Sequence, residues 1–360
     1  MSKFFSQKYA SLKAYVPGEQ PKDMQYIKLN TNESPFPPSQ SVRDAVIEQA
    51  FLCNLYSDPA CTDLTAAIAE LYSVKPENVL VTNGSDEILN FAFMAFGDNE
   101  HPFVFPDITY GFYPVFSKLN GIPYEELPLN DDLTVNVQDY IGIGKNIVIA
   151  NPNAPTGLVL KAADIEQILV SNPGNIVVVD EAYIDFGGES CVRLIDKYDN
   201  LIVTQTFSKS RSLAGARLGF GIANAALIAD MNTIKYSTNP YNVNRMSAAI
   251  GLAAIKDNKY YMDNCQVIIK NREWTKKQLE ALGFEVTDSS TNFLFAKSPL
   301  IDGQELYVRL KEMGILIRHF SSERIKDYNR ITIGSMDQMH AFIAAVEKIL
   351  RSNQSEVEKI

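Results

Sequence analysis

Lys209 follows the apolar run Leu201-Ile202-Val203 and stands in Thr206-Phe207-Ser208-Lys209-Ser210, with Arg217 eight residues on. A primary amine at the mouth of a buried strand can form a Schiff base with an aldehyde. The hydroxyls of Thr206 and Ser208 and the guanidinium of Arg217 are donors suited to a phosphate. Gly84-Ser85-Asp86-Glu87 follows an apolar run and opens a helical pattern. Its free N–H groups and the positive end of the helix dipole suit the same anion, and Ser85 or Asp86 equally suits a helix cap. Upstream, Asp180 closes the run Ile176-Val177-Val178-Val179, and Tyr183 follows. A carboxylate there can pair with a pyridinium nitrogen, and the tyrosine hydroxyl can reach a phenolic oxygen beside it. An aldehyde trap, a phosphate cradle and a partner for the ring nitrogen together predict a site for pyridoxal phosphate. Lys209, Asp180 and Tyr183 are its candidate catalytic groups.

Further candidates border other predicted strands. Tyr110 follows the strand at 103–105, where a loop aromatic can stack on the ring or serve the core. The turn Asn151-Pro152-Asn153-Ala154-Pro155-Thr156-Gly157 leaves the strand at 147–150, and an asparagine in it could donate to the phenolic oxygen. Arg318 ends an apolar run and Arg330 begins another; a bordering arginine takes an anionic partner from the protein or from a ligand.

The elements that must position these residues alternate. Strands are predicted at 79–82, 103–105, 147–150, 176–180, 202–206 and 219–222, with helices at 86–96, 162–171 and 225–235. Such alternation means an α/β fold, a mostly parallel sheet between helices. A long helical stretch over 245–282, broken near 256–258, leads into strand-like 293–296, 315–318 and 330–333 and helices at 303–313 and 337–351. That is a small α+β domain. The expected division is 1–45 as an arm and part of the small domain, 46–260 as the large domain and 261–360 as the small one. The polar tail at 352–360 is expected to fray.

Composition narrows the function classes. The chain has 360 residues, 46% hydrophobic and 21% charged, with net charge −10, in the range of a globular enzyme. No basic stripe points to nucleic acid, and no apolar run reaches membrane-spanning length. Four cysteines without a C-x-x-C and three scattered histidines predict a reduced, cytoplasmic protein with no metal site. Neither G-x-G-x-x-G nor G-x-S-x-G occurs, which argues against nicotinamide and serine-hydrolase chemistry.

Taken together, residues 151–157, Asp180-Glu181-Ala182-Tyr183, and Ser208-Lys209 with Arg217 resemble the class I and II aminotransferases, pyridoxal-phosphate enzymes of fold type I. The resemblance runs in order through nearly the whole chain. Within that family the likeness is greatest to the branch acting on histidinol phosphate. It rests on Lys28-Leu29-Asn30-Thr31-Asn32-Glu33-Ser34-Pro35, Gly84-Ser85-Asp86-Glu87, residues 180–186 and Arg330-Ile331-Thr332-Ile333-Gly334. The resemblance implies a seven-stranded sheet and a homodimer in which Tyr56 reaches the cofactor phosphate of the partner subunit. It implies that Arg330 binds the donor carboxylate, that Arg318 holds a second anionic group, and that Asn30 lies at the substrate. The small-molecule partners would be an amino donor and 2-oxoglutarate. Two positions depart from the family pattern. Ala154 stands where an asparagine usually precedes Pro-Thr-Gly, so either Asn153 reaches the phenolic oxygen or that bond is lost. Ser34 replaces the second asparagine of Asn-Glu-Asn-Pro. The same cofactor residues would also serve an aromatic amino-acid aminotransferase, a decarboxylase of phosphothreonine, or a catalytically silent protein of this fold; the intact Lys209, Asp180 and Arg217 speak against the last.

Overall fold

A computed structural model describes residues 2–10 and 12–357. In chain order the elements are β1 (Ile27–Lys28), α1 (Gln40–Ala50), α2 (Thr62–Tyr72), β2 (Val79–Thr82), α3 (Ser85–Phe96), β3 (Phe103–Pro106), α4 (Tyr113–Asn120), β4 (Tyr124–Leu127), β5 (Asn146–Ala150), α5 (Ala162–Ser171), β6 (Val177–Asp180), β7 (Leu201–Thr206) and β8 (Gly219–Ala223). They continue with α6 (Ala225–Thr238), α7 (Arg245–Lys256), α8 (Asn258–Ala281), β9 (Glu285–Val286), β10 (Phe293–Lys297), α9 (Gly303–Glu312), β11 (Ile315–Leu316), β12 (Arg318–His319), β13 (Asn329–Thr332) and α10 (Met336–Val357).

The seven strands of the large sheet run β2-β8-β7-β6-β5-β3-β4. All neighbours are parallel except β8, which is antiparallel to both β2 and β7. The runs that form β5, β6 and β7 are buried throughout, because helices cover both faces of the sheet. Alternation along a strand assigns each residue its face. Ile147, Ile149, Val177, Val179, Leu201 and Val203 pack toward α2, α5 and α7. Val148, Val178 and Ile202 pack toward α3, α4 and α6. Asp180, two residues after Val178, therefore points to the α3 and α4 side.

The chain topology also explains why the chemistry gathers at one edge. The carboxyl ends of β2, β3, β5, β6 and β7 lie together, and β8 starts there because it runs the other way. The loops leaving those strands, and Arg217 just before β8, meet at that edge, the usual ligand side of an open α/β sheet.

A second, antiparallel sheet has the order β12-β13-β10-β9, and β1 pairs in parallel with β11. The N-terminal segment is thus threaded into this smaller unit: Leu29 N–H donates to Leu316 O at 2.7 Å, and Thr332 N–H to Leu29 O at 2.9 Å. Its apolar cluster includes Phe293, Leu294, Ile317, Ile331, Phe342 and Val346. The expected strand at 315–318 is two short ones serving different sheets. The helical stretch breaks at Asp257. Six elements go beyond the expectation: β1, α1, α2, α4, β4 and β9. The tail expected to fray stays helical through Val357, and 358–360 lie outside the described residues.

Candidate functional site

A cavity of about 190 Å³ opens at the carboxyl edge of the large sheet, lined among others by Ser85, Asp86, Tyr110, Asp180, Tyr183 and Lys209. Thr206, Ser208 and Arg217 line the same space. Lys209 Nζ donates to Thr31 O at 3.2 Å and lies 5.6 Å from the centre of the Tyr183 ring. At the other side, Asp180 accepts from Tyr113 Oη at 2.9 Å and from Ala182 N–H at 3.2 Å. Burial raises the Asp180 carboxyl to about 6, against the pull of the Tyr113 hydrogen bond. An acid so desolvated favours a cationic partner within the cavity.

The anion cradle is built around Arg217. Nη1 donates to Ser208 Oγ at 3.3 Å, and Nη2 faces Asp86 Oδ2 at 3.3 Å. Asp86 also accepts from Tyr110 Oη at 2.8 Å; burial and that carboxylate push the Tyr110 phenol well up. Through these two contacts Asp86 fixes the positions of Arg217 and Tyr110; a carboxylate would repel a phosphate rather than hold it. Gly84, at φ +85°, caps α3 with no side-chain bond. A Cβ on it would come within 2.8 Å of Arg217 Nη2, and one on Gly219 within 2.3 Å of Ser85 N. Both glycines therefore let the guanidinium and β8 close on the helix start, leaving its first N–H groups for an anion.

The other expected residues fall elsewhere. Asn153 is turned away from the cavity: its amide donates to Ile108 O at 2.9 Å and Thr156 Oγ1 at 3.0 Å, and its oxygen accepts from Thr109. The neighbouring Ala154 lines the cavity instead. Arg330 and Arg318 face each other across β13 and β12. Arg330 Nη2 donates to Asn30 O at 3.1 Å, while its Nε is buried without a partner. Neither arginine has a carboxylate within 4.0 Å among the described residues. The Asn30 amide is committed to Glu19 O at 2.9 Å. Tyr56 is 79% exposed and stacks on Tyr241 at 4.6 Å, away from its own chain's cavity.

Sequence reasoning passes over Tyr113, Thr31, Asn32 and Tyr15. Tyr15 packs on Phe112 at 4.3 Å and near Tyr110 at 6.5 Å. Tyr113 carries no local signal, since only the packing of α4 beside β6 brings it to Asp180. Asn32 lies in a motif that sequence reading does single out, and its αL backbone at φ 58° is where asparagine is enriched.

Comparison with known proteins places this geometry. Residues 24–346 match the family described as aminotransferase class I and II. A histidinol-phosphate aminotransferase of Brachyspira hyodysenteriae is 50% identical, covering 98% of this chain and 100% of that protein. One of Acinetobacter baylyi is 46% identical over 93% of this chain and 94% of its own length. The crystal structure of histidinol-phosphate aminotransferase from Sinorhizobium meliloti in complex with pyridoxal-5'-phosphate has a TM-score of 0.89, at 23% identity, covering 98% of this chain and 99% of that one. With its lysine, buried acid and arginine cradle at the edge of a seven-stranded sheet, the chain belongs to the class I and II aminotransferases.

Proposed function

We propose that this chain transfers the amino group of L-histidinol phosphate to 2-oxoglutarate, giving imidazole-acetol phosphate and glutamate, with pyridoxal phosphate as cofactor. The observation that carries the substrate reading is the arginine pair. Like charges directly opposite in a sheet are destabilising, and Arg318 and Arg330 are opposite with no protein carboxylate within 4.0 Å of either among the described residues, Glu19 acting on Arg318 only from farther away. An anionic substrate group supplies the missing partner. The histidinol-phosphate aminotransferases that match the full chain support the same assignment.

The donor set fits the cofactor. Ser85, Thr206, Ser208 and Arg217 converge on one end of the cavity for its phosphate, with Asp180 for its ring nitrogen and Lys209 for its aldehyde. When bound, pyridoxal phosphate supplies an aldehyde that takes up the amino group and a ring that withdraws electrons. With it in place, Lys209 Nζ would accept the Cα proton of the amino donor, and Asp180 would hold a proton on the ring nitrogen. Tyr183 lies beside Lys209, and Tyr110 walls the cavity. The large domain holds the cofactor, and the small one brings the arginines to the substrate. Free thiols at Cys53, Cys61, Cys191 and Cys265 suit a cytoplasmic enzyme.

An amine-donor screen of the purified protein tests the assignment. Histidinol phosphate should drive conversion of 2-oxoglutarate to glutamate. Preference for phenylalanine or tyrosine would move the assignment to aromatic amino acids, and CO₂ release from phosphothreonine to a decarboxylase. Arg330→Ala should raise KM for glutamate and for the phosphorylated donor about ten- to a hundredfold, the loss of one charge-assisted contact worth roughly 1.5–3 kcal/mol. Arg318→Ala should hurt the phosphorylated donor more than a neutral amino acid. Equal effects on both donors would remove Arg318 from the substrate.

The same reading includes a homodimer. Val46, Ile47, Phe51, Leu52, Leu55 and Tyr56 are all exposed on α1 and the turn after it, an apolar face suited to a second copy. Tyr56 there can reach the cofactor phosphate of the partner subunit. Mixing Lys209→Ala chains with Tyr56→Phe chains should then restore activity, because one site of each heterodimer carries both defects and the other neither. Heterodimers that stay inactive argue that each site is built from one chain.

A further inference from the structure

Asn32 is held between two elements that meet at the cavity. It is 1% exposed. Its backbone N–H donates to Thr332 Oγ1 at 2.9 Å, Thr332 Oγ1 donates to Asn32 Oδ1 at 3.0 Å, and Asn32 Nδ2 donates to Tyr183 Oη at 2.9 Å. The directions of these bonds are not free. A backbone N–H can only donate, so Thr332 Oγ1 must accept there. The threonine's own hydrogen has no other acceptor among the described residues, so it goes to Asn32, and the atom receiving it must be the amide oxygen. That leaves Nδ2 facing Tyr183, whose oxygen therefore accepts.

The consequence falls on the tyrosine hydrogen. Tyr183 lines the cavity, and its O–H has no acceptor among the described residues. The loop at 151–157 adds no competing side-chain donor, because Ala154 presents a methyl group and the Asn153 amide is committed to Ile108 O and Thr156. We propose that Asn32 is a positioning residue for the reaction: by donating to Tyr183 Oη it reserves the Tyr183 hydroxyl hydrogen for the cofactor's phenolic oxygen, and so lowers the pH at which the Lys209-bound cofactor loses its proton. Thr332 extends this chain of bonds to β13, the strand that carries Arg330. The charged groups around Tyr183 are Lys209, Arg330, Asp180 and Glu33, the last paired with Lys28 at 2.5 Å. All stay in place in the variants below, so their fields cancel in the comparison.

The inference rests on the reading of Lys209 and Tyr183 as cofactor contacts, and the test separates the two. The full chain loaded with pyridoxal phosphate is titrated with pH while its visible absorbance is followed. Tyr183→Phe should raise the midpoint by about one pH unit, the order of one lost charge-assisted hydrogen bond. Asn32→Asp should raise it comparably, because a carboxylate only accepts and takes the tyrosine hydrogen for itself. Asn32→Ala should move it less, since that hydrogen stays available. Adding Asn32→Asp to Tyr183→Phe should give no further shift. Aspartate keeps the size of asparagine and its tolerance of positive φ, so the variant should fold; its melting temperature is the control. An Asn32→Ala shift as large as that of Asn32→Asp would mean that packing alone matters and would overturn the proposal. So would an Asn32→Asp shift that survives in the Tyr183→Phe background, which would be the field of the new charge. If Tyr183→Phe itself leaves the midpoint unmoved, the cofactor role of Tyr183 fails and the proposal with it.

Discussion

Lys209→Ala is expected to abolish turnover while leaving the cofactor bound. Among the described residues Lys209 is the only lysine lining the cavity, and two tasks fall to it under the proposed mechanism: covalent attachment and carriage of the Cα proton. Proton-transfer groups alone are worth ~10²–10⁴-fold, and loss of the nucleophile adds to this. A fall of roughly 10⁴-fold or more is the expected result. The phosphate contacts lie on other residues. Arg217, Ser208, Thr206 and the start of α3 remain, so pyridoxal phosphate should still co-purify, though reducible with borohydride to a free rather than a protein-linked product. The fold should survive, because the Lys209 side chain makes one hydrogen bond, to Thr31 O, and carries no core packing. Added small primary amines should restore part of the rate by entering the vacated space. Transamination by the variant at near wild-type rate would show that the base is another group.

What can be read from sequence alone follows a physical division. β5, β6 and β7 are legible because a strand buried on both faces must be apolar throughout, and few other elements read as Ile-Val-Ile or Val-Val-Val. β4, Tyr-Glu-Glu-Leu, is an edge strand with its middle exposed, so no apolar run betrays it. α1 buries only Val42 and keeps its apolar residues on an outer face, which blurs the periodicity. In the site, Lys209, Asp180, Ser85, Ser208 and Arg217 can be brought together on paper because each sits within a few residues of a strand end, and topology places those ends together. Tyr113 and Asn32 cannot. Their places depend on how α4 packs on β6 and on how residues 27–32 thread between β11 and β13. Asn153 fails for a related reason: composition identifies the turn at 151–157 but not which side chain faces inward, and here the inward one is Ala154. The arginines are an intermediate case. Each run suggests an anionic partner, but only the register shows that Arg318 and Arg330 are opposite one another.

Asp180→Asn separates stability from chemistry, and it should move them in different directions. Asparagine keeps the shape and can still accept from Tyr113, so the fold should hold. It cannot stabilise a protonated ring nitrogen by charge, and the electron sink weakens accordingly. A loss of kcat by at least ~10²-fold is expected, within the range for groups that control proton position; a loss below about threefold would take Asp180 out of this role. The stability of the cofactor-free protein carries the opposite sign. Burial lifts the Asp180 carboxyl from 3.8 to about 6 in the folded chain. The folded state therefore binds this proton more tightly than the unfolded one. The contribution to stability is fully present below about pH 3.8 and is lost as pH rises through about 6. At pH 7 the ionised, buried carboxylate then costs on the order of 3 kcal/mol relative to a neutral group. Asp180→Asn removes that cost, so the cofactor-free variant should melt no lower than wild type at pH 7, and its melting temperature should depend less on pH between 4 and 7. Pyridoxal phosphate should narrow the difference by giving the wild-type carboxylate a cationic partner. Thermal melts of both proteins across that range, with and without cofactor, decide it. A cofactor-free variant that is markedly less stable at pH 7 would mean that the carboxylate is held by its hydrogen bonds from Tyr113 and Ala182 more strongly than burial opposes it, and that the acid is a structural anchor before it is a partner for the ring.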